Sequence, residues 1–175
     1  MGEERRPGFP WGWLLPSLAV LLGLTAWGAG VYPHLPDRVP RHLGPGGVDA
    51  WTEKSVGAVF LPVLVHAGVT VLLAALSAAL LRLRPLSELP PHRRTGLVNR
   101  PSTRASAVRI ARATLFLGFC LGLSTAATCA VMWRTGPDPD PDVPGPLYAA
   151  ALVPGVLGLV PLLVAAFRDR RERPE

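Results

Sequence analysis

Charge is missing from most of this chain. Asp, Glu, Lys and Arg are absent from four long stretches, Trp11–Val31, Ser55–Leu81, Ala113–Trp133 and Val143–Phe167. A soluble domain of 175 residues spreads its charge over its surface, so this distribution excludes an ordinary globular chain. A hydrocarbon core about 30 Å thick needs roughly 20 helical residues to cross it. Each stretch satisfies that length, and backbone groups in lipid must bond within their own segment, so each is expected to be a helix. The expectation is an all-α integral membrane protein with a bundle of four transmembrane helices. An alternative for the first stretch is a signal peptide, with Arg5 and Arg6 before it and small residues at Ala26–Gly30. Its length and the presence of Glu3 and Glu4 favour an uncleaved span.

Cysteine is nearly absent too. Cys120 and Cys129 lie nine residues apart in the third stretch. On a helix that spacing turns them to opposite faces, about 13 Å apart along the axis. They cannot pair with each other, and no metal-type cysteine spacing exists. The chain also has no phosphate-cradling glycine motif, no HExxH and no serine elbow. No enzyme, cofactor or metal centre is expected.

What charge there is falls in blocks. Lysine occurs once, at Lys54, and arginine carries the rest of the net charge of +6. Fourteen of the 18 basic residues lie before the first stretch, between the second and third, or after the fourth; four lie in the alternate segments. Basic loops stay cytoplasmic, which predicts both termini and the Arg82–Arg112 loop inside, in the cell membrane. The charge is then a matter of topology and of attraction to anionic lipid, or of docking a cytoplasmic regulator, rather than of nucleic acid. Trp11, Trp13, Tyr32, Trp51, Trp133 and Tyr148 sit near the expected span ends, where amphipathic rings prefer to lie.

The expected layout is a cytoplasmic N-terminus at 1–10 and a unit at 11–81 with an ordered outer loop at 32–54. The Arg-rich loop at 82–112 follows, then two helices within 113–167 joined by an acidic outer turn at 134–146, and a cytoplasmic tail at 168–175. Pro16, Pro62, Pro154 and Pro161 are expected to kink their helices. Gly118, Gly122, Ala126 and Ala130 recur four apart on the third span, a stripe suited to close packing inside the bundle or in an oligomer. His66 is the one titratable side chain, cysteines aside, deep within a span, and a functional role is the default for such a group. It could instead hydrogen-bond Ser124 or Thr128.

The outer segment is dense in proline, glycine and charge. Pro33, Pro36 and Pro40 favour an extended arm, and Gly44–Gly47 a turn. Asp49 stands where it could cap the helix of the second span, with Lys54 within reach of Asp49 or Asp37. His34, Asp37, His42 and Asp49 are candidate zinc ligands by type. Capping and pairing account for the acids more simply, with the histidines as surface residues.

The pattern Leu35-Pro36-Asp37, Val39-Pro40, His42, Gly47, Asp49, Trp51, Lys54 resembles the signature of the domain of unknown function 1648, over roughly residues 14–80. That domain forms the N-terminal part of bacterial SdpI-like immunity membrane proteins. The resemblance implies a small multi-pass protein that protects a cell from a secreted peptide toxin and recruits a cytoplasmic regulator. Leu43 departs from the aromatic residue usual after the motif histidine, and four expected spans depart from a six-span layout. A small transporter or permease subunit is the alternative, on the proline-containing helices and His66. The Ala, Gly, Pro and Arg bias points to a high-GC bacterial genome, such as an actinobacterium's.

Overall fold

A computed structural model describes residues 7–44, 47–90, 99–134 and 145–173. Four long helices dominate it: α1 (Trp11–Val31), α2 (Val56–Arg82), α3 (Arg104–Arg134) and α4 (Gly145–Arg171). Among the described residues, these four are long and apolar enough to cross a membrane. Their outward faces are apolar, with Leu22, Val71 and Leu152 each about 70% exposed. Lipid, not water, suits such a surface. The protein is an all-α, multi-pass membrane protein built as a four-helix bundle.

The helices run alternately up and down. One end gathers the start of α1, the end of α2, the start of α3 and the end of α4, and carries most of the described arginines. The other end carries the segment between α1 and α2. The central helix is α3, which packs against all three others. Small residues make that possible. A Cβ on Gly118 would lie 3.3 Å from Leu73 of α2 and 3.5 Å from Ser17 of α1. One on Gly122 would lie 2.8 Å from His66 Nε2 and 3.2 Å from Val20. Ala126 packs against the main apolar cluster. The stripe on α3 thus serves contacts within the chain.

Helix α4 uses its own glycines toward α3, since a Cβ on Gly158 would lie 2.7 Å from Cys120 Cβ. Cys120 and Cys129 are free and buried. The prolines do not break the helices: α1 runs through Pro16, α2 through Pro62, and α4 through Pro154 and Pro161. Near Pro154, the Gly155 amide donates to Ser124 Oγ of α3 at 3.1 Å. Near Pro62, the Trp133 indole donates to the Val59 carbonyl at 3.3 Å.

The segment between α1 and α2 departs from expectation. It is a β-hairpin, with β1 (Arg38–Gly44) antiparallel to β2 (Gly47–Glu53). Asp49 lies inside β2 and is not the cap of α2. Ser55 takes that role, its hydroxyl accepting the Ala58 amide at 3.1 Å. Two features favour strand over helix here. Residues Val48, Trp51 and Thr52 suit a pleated ribbon, and Pro40 in β1 offers no N–H, so the ladder slips between Pro40 and His42. Pro45 and Gly46 of the expected turn lie outside the described residues, as do residues 1–6, 91–98, 135–144 and 174–175. The expected acidic turn falls almost wholly there.

The basic segment is also more structured than a loop. A 3₁₀ turn at Leu86–Glu88 follows α2, and α3 begins at Arg104, not near residue 113. Helix α4 likewise continues into the expected tail, as far as Arg171.

Candidate functional site: a groove roofed by the hairpin

The motif of the outer segment divides into an anchoring half and an exposed half. Leu35 and Val39 are buried in the main cluster with Leu24, Val59, Val63, Cys129, Met132 and Trp133. Pro40 is fully buried as well. These residues seat the hairpin on the ends of α1, α2 and α3. Trp27 stacks edge-on against Trp133 at 4.9 Å beneath them. Trp51 stands opposite Pro40 in the ladder and Gly47 opposite Gly44.

Lys54 closes the base of the segment. Its ammonium donates to the Leu35 carbonyl at 2.7 Å and lies 5.6 Å from the Tyr32 ring centroid. Its amide donates to the Asp37 carbonyl at 2.7 Å. The side chain therefore binds backbone, and the expected pairing with Asp37 or Asp49 does not occur. Pro36 is half-buried and Asp37 exposed beside it.

His42 and Asp49 meet across the hairpin, with Nδ1 and Oδ1 2.6 Å apart. Both side chains are more than half exposed, so water screens the pair and its contribution to stability is small. His34 instead lies against the Gly30 carbonyl, at 3.3 Å. Among the described residues, no group of three or more His, Cys, Asp or Glu is placed to hold a metal.

Beneath the hairpin lies a groove of about 710 Å³. Arg41, His42, Gly44 and Thr52 roof it; Ala58, Leu61 and Pro62 of α2 and Thr128 and Met132 of α3 wall it. Tyr148, Ala151 and Leu152 of α4 complete it. Tyr148 also donates its hydroxyl proton to the Gly44 carbonyl at 3.0 Å, tying the hairpin to α4. The sequence singled out Tyr148 only as an interfacial ring, because its partner is 104 residues away.

Leu61, Pro62 and Thr128 also line a second cavity of about 390 Å³, which runs between α2 and α3 to His66. His66 is 2% exposed, and its Nε2 has no hydrogen-bond partner among the described residues. Ser124 and Thr128, its expected partners, bond elsewhere. Ser124 Oγ accepts the Gly155 amide, and Thr128 Oγ1 donates to the Ser124 carbonyl at 3.0 Å. The arrangement offers a polar rim, an apolar trough and one imidazole at its inner end. It suits the binding of an amphipathic molecule.

Fold and groove together define a four-helix multi-pass membrane protein with a hairpin-covered cleft. Its N-terminal part, residues 11–65, matches the family described as Domain of unknown function (DUF1648). The match takes in α1, the whole hairpin and the first part of α2, and ends one residue before His66, short of residue 80. No curated protein and no solved structure gives a match.

Proposed function

We propose that this protein is a non-enzymatic binding protein of the bacterial cell membrane, whose hairpin-roofed groove captures an amphipathic peptide at the membrane surface. One observation carries the reading: His42 of the motif stands in the roof of the groove, while Leu35, Val39 and Pro40 anchor that roof to the helices. The bias of arginine to the opposite end supports an outward-facing hairpin and cytoplasmic termini. The resemblance of the motif to SdpI-like proteins supports immunity to a secreted peptide as the role. A host sensitive to such a peptide, expressing this gene, should survive the challenge. Ala151→Trp, which fills the trough, should abolish survival at an unchanged membrane level. Equal survival with and without the gene would count against the reading.

A second reading is a small transporter, favoured by His66 at the end of a cavity continuous in lining with the groove. His66→Ala should then abolish flux in liposomes, and unchanged flux would remove this residue from any transport mechanism.

A further inference from the structure

At the arginine-rich end, α3 and α4 carry matching stripes. On α3, Arg109, Arg112, Ala113 and Phe116 follow an i, i+3, i+4, i+7 spacing; on α4, Pro161, Val164, Ala165 and Arg168 do the same in reverse order. Residues at these spacings share one helix face. The two faces meet in a groove of about 370 Å³, which Trp13 of α1 completes. Trp13 stacks edge-on against Phe116 with centroids 6.4 Å apart. The floor is therefore apolar and aromatic, and the three guanidinium groups stand at one end of it.

Charge at that end is not balanced. Arg109 pairs with Glu172 at 2.5 Å, and its Nε is buried without a hydrogen-bond partner among the described residues. Arg112 and Arg168 are exposed and have no acidic partner among the described residues. Two other cations nearby are engaged: Arg104 binds Glu88 through two contacts of 2.7 and 2.8 Å, and Arg173 binds Asn99 at 2.6 Å. Arginines left open over an apolar trough at the level of the membrane interface complement one kind of molecule.

We propose that this groove is a specific site for an anionic phospholipid. Arg112 and Arg168 would hold its phosphate, and the upper part of an acyl chain would lie along Trp13, Phe116 and Val164. The site differs from general attraction of basic residues to the bilayer because it depends on which arginines are present, not on how many.

The test uses the full chain in mild detergent, offered equal amounts of phosphatidylglycerol and phosphatidylcholine, with bound lipid counted by native mass spectrometry. The wild type should retain one phosphatidylglycerol in clear preference. R112Q/R168Q should lose that preference, at roughly fivefold per arginine for charges near a membrane surface. R82Q/R170Q removes the same charge outside the groove and should keep it. Trp13→Ala should weaken retention of both lipids. Equal retention of the two lipids by the wild type, or equal loss in both double variants, would overturn the proposal. So would full displacement of the lipid by inorganic phosphate at the same concentration, which would make this an ion site. If R112Q/R168Q fails to fold, R168Q alone carries the test, and an unchanged lipid ratio there overturns it.

Discussion

Gly122 is glycine because His66 occupies the space a side chain would need. A Cβ there would sit 2.8 Å from Nε2 and 3.1 Å from Cε1 of an imidazole that is itself buried between helices. Gly122→Ala should therefore destabilise the bundle by about 1–3 kcal/mol, the usual cost of overpacking. Thermal unfolding in detergent reads this directly, and a neutral result would mean that His66 can swing away. Lys54 makes a second residue-scale case. Lys54→Met keeps most of the stem but leaves the Leu35 carbonyl without its charged donor. A loss of about 1.5–3 kcal/mol is expected, as for hydrogen bonds to charged groups, whereas Asp49→Asn, in an exposed pair, should change stability by less than about 1 kcal/mol. The same melting experiment separates the two. His66 was conspicuous in the sequence because an ionisable group in an apolar run is rare. Its neighbour Gly122 could be read only as part of a stripe, since nothing local says which helix the stripe faces.

At the scale of elements, helix caps decide two boundaries that the sequence left open. Asp49 has the chemistry of an N-cap, but the cap of α2 is Ser55, and Ser55→Ala should cost about 1 kcal/mol. The hairpin was legible only in part. Its prolines and glycines announced an extended arm and a turn, and its motif marked the residues that matter. The second strand was hidden because an acid before an apolar run is also how a helix begins. The start of α3 is held by a longer reach. Asp169, in the last turn of α4, is buried; its carboxylate accepts the Ser102 amide at 2.7 Å and the Ser106 hydroxyl. The Ser102 hydroxyl in turn donates to the Asp169 carbonyl at 2.6 Å. Thr103 caps the helix, its hydroxyl accepting the Ser106 amide at 3.0 Å, and the Asp169 carboxylate adds negative charge near the positive end of the helix dipole. Asp169→Asn keeps the shape but weakens the acceptor, and should lower stability by about 1–3 kcal/mol. Loosening should appear first as faster hydrogen exchange at 102–106. The sequence offered no sign of this junction, because 63 to 67 residues separate the partners.

Taken as a whole molecule, the bundle has one arginine-rich end and one hairpin end, and four crossings place the start of α1 and the end of α4 on the same side. A cysteine introduced at Thr52 should react with a membrane-impermeant thiol reagent in intact cells, and one introduced at Arg170 only after the cells are opened. The native Cys120 and Cys129 are buried and should stay silent in this assay. Labelling of both sites from one face would contradict a four-crossing chain.

The sequence alone determined the number and approximate extent of the crossings, because lipid leaves a backbone no alternative to long uncharged helices. It also determined where the unusual chemistry lies, since polar residues between two apolar runs have to sit at a membrane surface. Only the tertiary structure decided what those residues do. Burial splits the motif into anchors and exposed groups, Lys54 clamps backbone instead of pairing with an acid, and Asp169 holds the start of another helix. Those assignments depend on contacts between distant parts of the chain, and helix packing fixes such contacts through the positions of small side chains that carry no distinctive signal of their own.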